Sequence, residues 1–153
     1  MRVMLKTLAF LIILALVAFA AYVRLAPSDA AVWNMAIGTK DPATPGACVD
    51  KVVLVPKGAR ATCLLAGTPA DTLAKLDAAA MAKARVTRLA GSPGEGRITW
   101  VSRSALMGYP DYITAEAIAA PEGTRLDILS RQRFGQGDSG VNAARLKDWL
   151  GSL

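Results

Sequence analysis

An unbroken apolar run over residues 8–23, extended past Lys6 by Val3, Met4 and Leu5, divides this chain into two parts that must meet different solvents. A helix that crosses a bilayer needs about 20 apolar residues, and the run reaches that length once Lys6 snorkels to the surface. Arg2 and Lys6 lie on one side of it and Arg24 on the other. The positive-inside bias then keeps the amino end in the cytoplasm and exports the remainder. The localisation expected is the inner membrane, single pass, with a periplasmic C-terminal domain. Ala18-Phe19-Ala20 also fits a signal-peptidase site after an apolar segment. The run continues through Ala21, Tyr22 and Val23 with no polar stretch before that site, which favours an uncleaved anchor or signal-anchor over removal after Ala20. The division expected is residues 1–25 as anchor, 26–47 as tether and 48–153 as an exported domain, with the inner membrane contacted through residues 3–23.

The charge balance narrows the partners. The whole chain carries +6, but Arg2, Lys6 and Arg24 belong to the anchor, leaving 15 Lys and Arg against 12 Asp and Glu in the rest. A +3 domain outside the cytoplasm gives no footprint for nucleic acid. Cys48 and Cys63 are the two cysteines. In an oxidising compartment such a pair forms a disulfide, worth roughly 3 kcal/mol in the chain-entropy model. Two free buried thiols are the alternative, since sequence does not give the Cα separation.

Residues 26–45 are rich in Pro, Ala, Asp and Thr, with isolated Val32, Trp33, Met35 and Ile37, and read as a tether. Trp33 suits either the interfacial layer or the surface of the domain. Val52-Val53-Leu54-Val55 is a short strand stopped by Pro56, and residues 61–66 form a second. Thr68, Pro69 and Asp71 then start a helix, as N-cap, first helical residue and capping-box acid. Leu73, Leu76, Ala80 and Ala84 follow helical spacing. Strands are predicted over residues 85–90, around Ile98, Trp100 and Ser102, over 112–119, and around Leu126, Ile128 and Ser130. The turns at 91–94, 108–111 and 121–123 are short enough to pair these strands antiparallel. The fold class expected is α+β, an N-terminal transmembrane helix and a small two-layer domain with two helices over a three- or four-stranded antiparallel sheet. The other face of that sheet would carry Arg97, Arg103, Arg125, Asp127, Arg131 and Arg133.

The chain has no histidine. That removes Ser-His-Asp and Cys-His catalysis, the usual zinc sites and the commonest general base at neutral pH. Gly135, Gly137 and Gly140 match neither a phosphate loop nor a dinucleotide fingerprint. No catalytic residue, metal or cofactor is expected, and a carboxylate-based hydrolase ranks third among the readings.

Residues 130–145 hold the densest set of special positions. Arg131 and Arg133 leave a strand on one face, three glycines call for positive φ or close backbone approach, and Asp138 or Ser139 can cap the last helix. In the structural reading Asp138 caps, Asn142 and the glycines shape the turn, and Arg145 pairs with a carboxylate such as Asp111. In the functional reading helix amides, Arg131 and Arg133 surround a phosphate or carboxylate. The candidate ligand or partner contacts are therefore Arg103, Arg131, Arg133, Asp138, Asn142, Arg145 and Asp111. Trp100, Tyr109, Tyr112, Phe134 and Trp149 suit a core better than a ligand cage.

The pattern Ser130-Arg-x-Arg-x-Gly-x-x-Asp138-x-Gly-Val-Asn142-x-x-Arg145, closing with Trp149-Leu150, resembles the hallmark of domain-of-unknown-function family 1499. Arg103-Ser104-x-Leu-Met-Gly-Tyr-Pro-Asp111-Tyr-Ile and the stretch over residues 24–29 are similar to its alphaproteobacterial, membrane-anchored branch. The resemblance covers about residues 65–153. It departs at Gln132, where the family often has serine, and at Ser139, where a bulkier apolar residue is usual. It implies a domain and no particular activity. The function expected is a non-catalytic module that binds or assembles with other envelope proteins, with an anionic small molecule or lipid headgroup held by the arginines as the alternative.

Overall fold

Helix α1 (Arg2–Leu25) opens the structure, a computed structural model that describes residues 2–38 and 41–153. Met1 of the expected anchor and Thr39 and Lys40 of the expected tether lie outside those residues. The 24 residues of α1 rise about 36 Å, more than the roughly 30 Å of a bilayer's hydrocarbon core. Its mean hydropathy reaches 2.6 over a stretch with no buried residue, while Val23 near the domain end is buried, so it is long and apolar enough to serve as a membrane anchor.

The domain is a six-stranded antiparallel sheet with two helices on one face, an α+β arrangement. Its strands are β1 (Val53–Val55), β2 (Gly58–Leu65), β3 (Val86–Ser92), β4 (Arg97–Arg103), β5 (Pro110–Ala120) and β6 (Gly123–Gln132), in the spatial order β1-β2-β6-β5-β4-β3. The meander expected from the short turns is present as β3 to β6. The sheet exceeds four strands because β2 pairs with the free edge of β6, and β1 with β2. Short turns reveal neighbours in sequence, whereas β2 and β6 meet across about 60 residues with no local signal.

Helix α3 (Pro69–Met81) links β2 to the far edge at β3 and crosses the sheet on the way. Thr68 Oγ1 accepts from the Asp71 amide at 3.1 Å and Pro69 opens the first turn. Leu73, Leu76 and Ala80 face inward, but Ala84 is exposed because the helix stops at Met81 and Arg85 turns to φ 62°. Helix α4 (Val141–Leu150) lies on the same face and buries Leu146, Trp149 and Leu150. Trp100 of β4 and Trp149 meet edge to face at 5.6 Å, and Trp100 Nε1 donates to Asp77 of α3 at 2.8 Å. Cys48 and Cys63 form a disulfide with a Cα separation of 5.4 Å, pinning the 3₁₀ turn Cys48–Lys51 under the sheet.

Residues 26–38, read as a tether, lie across the second face of the sheet. They contain a one-turn helix α2 (Ala30–Trp33), capped by Asp29. Trp33 stacks on Tyr112 at 3.7 Å, and Ser28 Oγ lies 2.8 Å from the Tyr112 hydroxyl. Asn34 Oδ1 accepts from Thr99, and the Ile37 amide donates to Glu116 at 2.9 Å. The segment is a strap, and under it Tyr112 is fully buried. No period marks such a segment in sequence, because an irregular backbone presents its side chains at no fixed spacing.

Candidate functional site

The seven candidate contacts do not form one cluster. Strand alternation sends Arg131 and Arg133 to the strap face, while Asp111, Asn142 and Arg145 lie on the helix face. Arg131 Nη2 donates to the Trp33 carbonyl at 2.9 Å and to Thr114 Oγ1 at 3.0 Å, with its guanidinium 5.4 Å from the Trp33 ring. Burial pulls its pKa below the ordinary arginine value. Arg133 donates to the Pro27 carbonyl at 2.7 Å and to the Tyr112 hydroxyl at 3.2 Å. Arg103 donates to the Gly108 carbonyl at 2.9 Å. On the same face Arg97 pairs with Glu116 and Arg125 with Asp127, so carboxylates neutralise two of the arginines while strap carbonyls accept from Arg131 and Arg133. Ser102 and Ser130 share the helix face, but β5 separates their strands.

The second group is a buried polar network beneath the start of α4. Arg145 Nη2 reaches Asp111 Oδ2 at 3.0 Å, while Nη1 donates to Asn142 Oδ1 at 2.6 Å and Ser130 Oγ at 3.3 Å. Ser130 Oγ in turn donates to Asn142 Oδ1. A guanidinium has no acceptor, so it fixes which end of the Asn142 amide faces it. Burial pushes the Asp111 carboxyl above the usual range, Arg145 opposes that, and the Asp138 charge adds to the rise.

The loop from β6 to α4 holds Asp138. Gly135 and Gly140 take positive φ, as does Ser139 at 50°, whereas Gly137 does not. Asp138 Oδ2 accepts from the Asn142 amide at 2.8 Å and Oδ1 from the Gly140 amide at 3.1 Å, so it caps α4 from two residues before the N-cap. Burial pushes its pKa up, but the amides pull it further down, to a value below the usual carboxylate range. A depressed carboxylate contributes stability above the unfolded pKa of about 3.9 and loses it as pH falls through the lower folded value. Asp111, with its raised pKa, acts in the opposite sense. Asp138→Asn is therefore expected to flatten the loss of stability below pH ~4, measured as urea midpoints across that range; an unchanged acid limb would refute the capping role.

Between the segment 104–109 that joins β4 to β5, the loop from β6 to α4, and α1 lies a cavity of about 490 Å³. Phe19 of α1, Tyr109, Phe134 and Val141 give it an apolar wall, and Ser104, Asp111, Gln132 and Asp138 a polar one. Arg24 holds α1 in place by donating to the Leu106 and Met107 carbonyls at 2.8 and 3.4 Å. Tyr22 packs edge to face on Phe134 at 6.0 Å. Gln132 is 8 % exposed, and its Nε2 is buried with no hydrogen-bond partner. Among the described residues no group of three or more His, Cys, Asp or Glu could hold a metal ion.

Asp111 and Asp138, named from the sequence as candidate contacts, line this cavity, whereas Gln132, Ser104, Phe19 and Val141 were missed. Gln132 had a signal: it continues the inward register of Leu126, Ile128 and Ser130 as a polar group on an apolar face. Phe19 had none, since one aromatic in an anchor resembles any other. A family model described as "Protein of unknown function (DUF1499)" matches residues 39–153, which takes in the whole sheet, both covering helices and every cavity residue except Phe19. No curated protein and no solved structure matches the chain.

Proposed function

The chain belongs to the DUF1499 family, whose function is not known, and from that premise we propose that it is a membrane-anchored, exported, non-catalytic module that binds a molecule at the membrane surface. One observation carries this reading: Phe19, inside the apolar helix, lines the same cavity as Gln132 and Asp111 of the domain. Phe19 lies five residues below Arg24, about 7 Å along the helix axis. The cavity mouth therefore sits where headgroups give way to acyl chains. Leu106, 82 % exposed beside Arg24, would dip into the same layer. The disulfide suits an oxidising compartment and supports export.

Gly137 supplies the test. It lines the cavity, has open space where a Cβ would be and has a φ any residue adopts, so a large side chain is expected to obstruct the cavity without straining the loop. Full-length wild type released from lipid nanodiscs is expected to carry one retained small molecule per chain in native mass spectrometry, and Gly137→Trp none. Equal retention by both proteins would refute the reading. The alternative of an anionic ligand at Arg131 and Arg133 is not favoured, because the strap lies over that face and a strap carbonyl accepts from each guanidinium. An envelope protein partner is favoured by one other feature: edge strand β1 exposes Val53 and Leu54.

A further inference from the structure

We infer that the cavity takes a neutral, hydroxyl-bearing amphiphile with a single hydrocarbon tail, its head at Gln132 and its tail along Phe19. The inference rests on the binding reading above and adds the chemistry of the occupant. Gln132 lines the wall, and its Nε2, closed off from solvent, has no hydrogen-bond partner. The neighbouring polar side chains are engaged: Asp111 by Arg145, Asp138 by two backbone amides, and Ser104 Oγ by the Tyr109 amide at 3.0 Å. A buried amide N–H without an acceptor costs stability, and a turn of the Gln132 side chain toward an ester or hydroxyl oxygen in the cavity would remove the cost.

Charge excludes an anionic head. Asp111 and Asp138 both line the cavity, while no lysine or arginine does. Arg145 approaches from behind Asp111 and neutralises one of the two carboxylates. A phosphate or carboxylate head would meet residual negative charge with no cation to offset it, whereas hydroxyls donate to those carboxylates. The apolar half of the wall comes from Phe19, Tyr109, Phe134 and Val141, and it opens toward the helix that would sit in hydrocarbon. A volume of about 490 Å³ lies within the usual range for small-molecule sites. It has room for a head and the upper part of one chain, the remainder staying in the bilayer.

Two photoreactive probes of equal chain length decide the matter, one an oleoyl monoacylglycerol and the other an oleoyl lysophosphatidic acid, each with a diazirine near the top of the chain. Each is placed with the full chain in phosphatidylcholine nanodiscs, and labelled peptides are mapped by mass spectrometry. The neutral probe is expected to label residues 104–109 or 134–141 at least ten-fold more than the anionic probe. Gln132→Met, which keeps the volume and removes the donor, is expected to reduce that labelling about ten-fold, and Gly137→Trp to abolish it. Equal or stronger cavity labelling by the anionic probe would overturn the neutral-head inference and leave the binding reading standing. Full labelling of Gln132→Met would overturn the role of Gln132 alone. Labelling confined to α1 for both probes would overturn the inference and the binding reading together. Gly137→Trp lies outside the sheet, so the test holds even if Gln132→Met fails to fold.

Discussion

Asp111→Ala is expected to destabilise the domain by about 2–3 kcal/mol, below the roughly 3–5 kcal/mol lost when a fully buried ion pair is broken, because this pair is only part-buried. The side chains of Asp111 and Arg145 are only 16 % and 14 % exposed, so the arginine left behind keeps its charge with little water and no carboxylate to meet it. The cost falls on the orphaned guanidinium and not on a large intrinsic value of the pair. The raised pKa of Asp111 makes the same point, since burial outweighs what Arg145 returns. Two comparisons check this. Asp111→Ala/Arg145→Met is expected to recover most of the loss, because the second substitution removes the buried charge. Urea unfolding of the full chain in mild detergent, followed by tryptophan fluorescence, measures both. A single-variant loss below about 1 kcal/mol would show that the pair is solvated and that the network does not hold α4.

Trp33→Ala is expected to cost about 2–4 kcal/mol, less than a fully buried tryptophan because Trp33 is only partly covered. Three contacts disappear together: the stack on Tyr112, the cation–π contact with Arg131, and the shielding that keeps Tyr112 dry. The strap would then detach, and limited proteolysis within residues 26–38 is expected to accelerate at least ten-fold. The melting temperature is expected to fall in parallel. Unchanged proteolysis would mean that backbone acceptors such as the Pro27 and Trp33 carbonyls hold the strap without the ring.

These two variants mark the boundary of what could be read from residues alone. The α3 start was legible because Thr68, Pro69 and Asp71 act within one turn, and the meander from β3 to β6 because its turns are short. The pairing of Arg145 with Asp111 was named as one reading of residues 130–145. The strap was not legible. Val32, Trp33, Met35 and Ile37 follow neither period 2 nor period 3.6, so nothing showed that they cover a sheet. The surroundings of Arg131 and Arg133 were hidden for the same reason: guanidinium groups on one strand face look available until the segment that covers them is placed.

By itself the sequence determined the apolar helix, the local elements, the alternation that sends arginines to one sheet face and apolar residues to the other, and family membership through the pattern over residues 130–145. Those properties depend on residues a few positions apart, whose geometry the backbone dictates. Tertiary structure alone decided that β2 closes on β6, that residues 26–38 strap the second face, and that Phe19 meets Gln132 and Asp111 around one cavity. Each of these joins segments tens of residues apart. Such contacts are selected by the total burial and hydrogen bonding of the folded chain, and no local pattern records them.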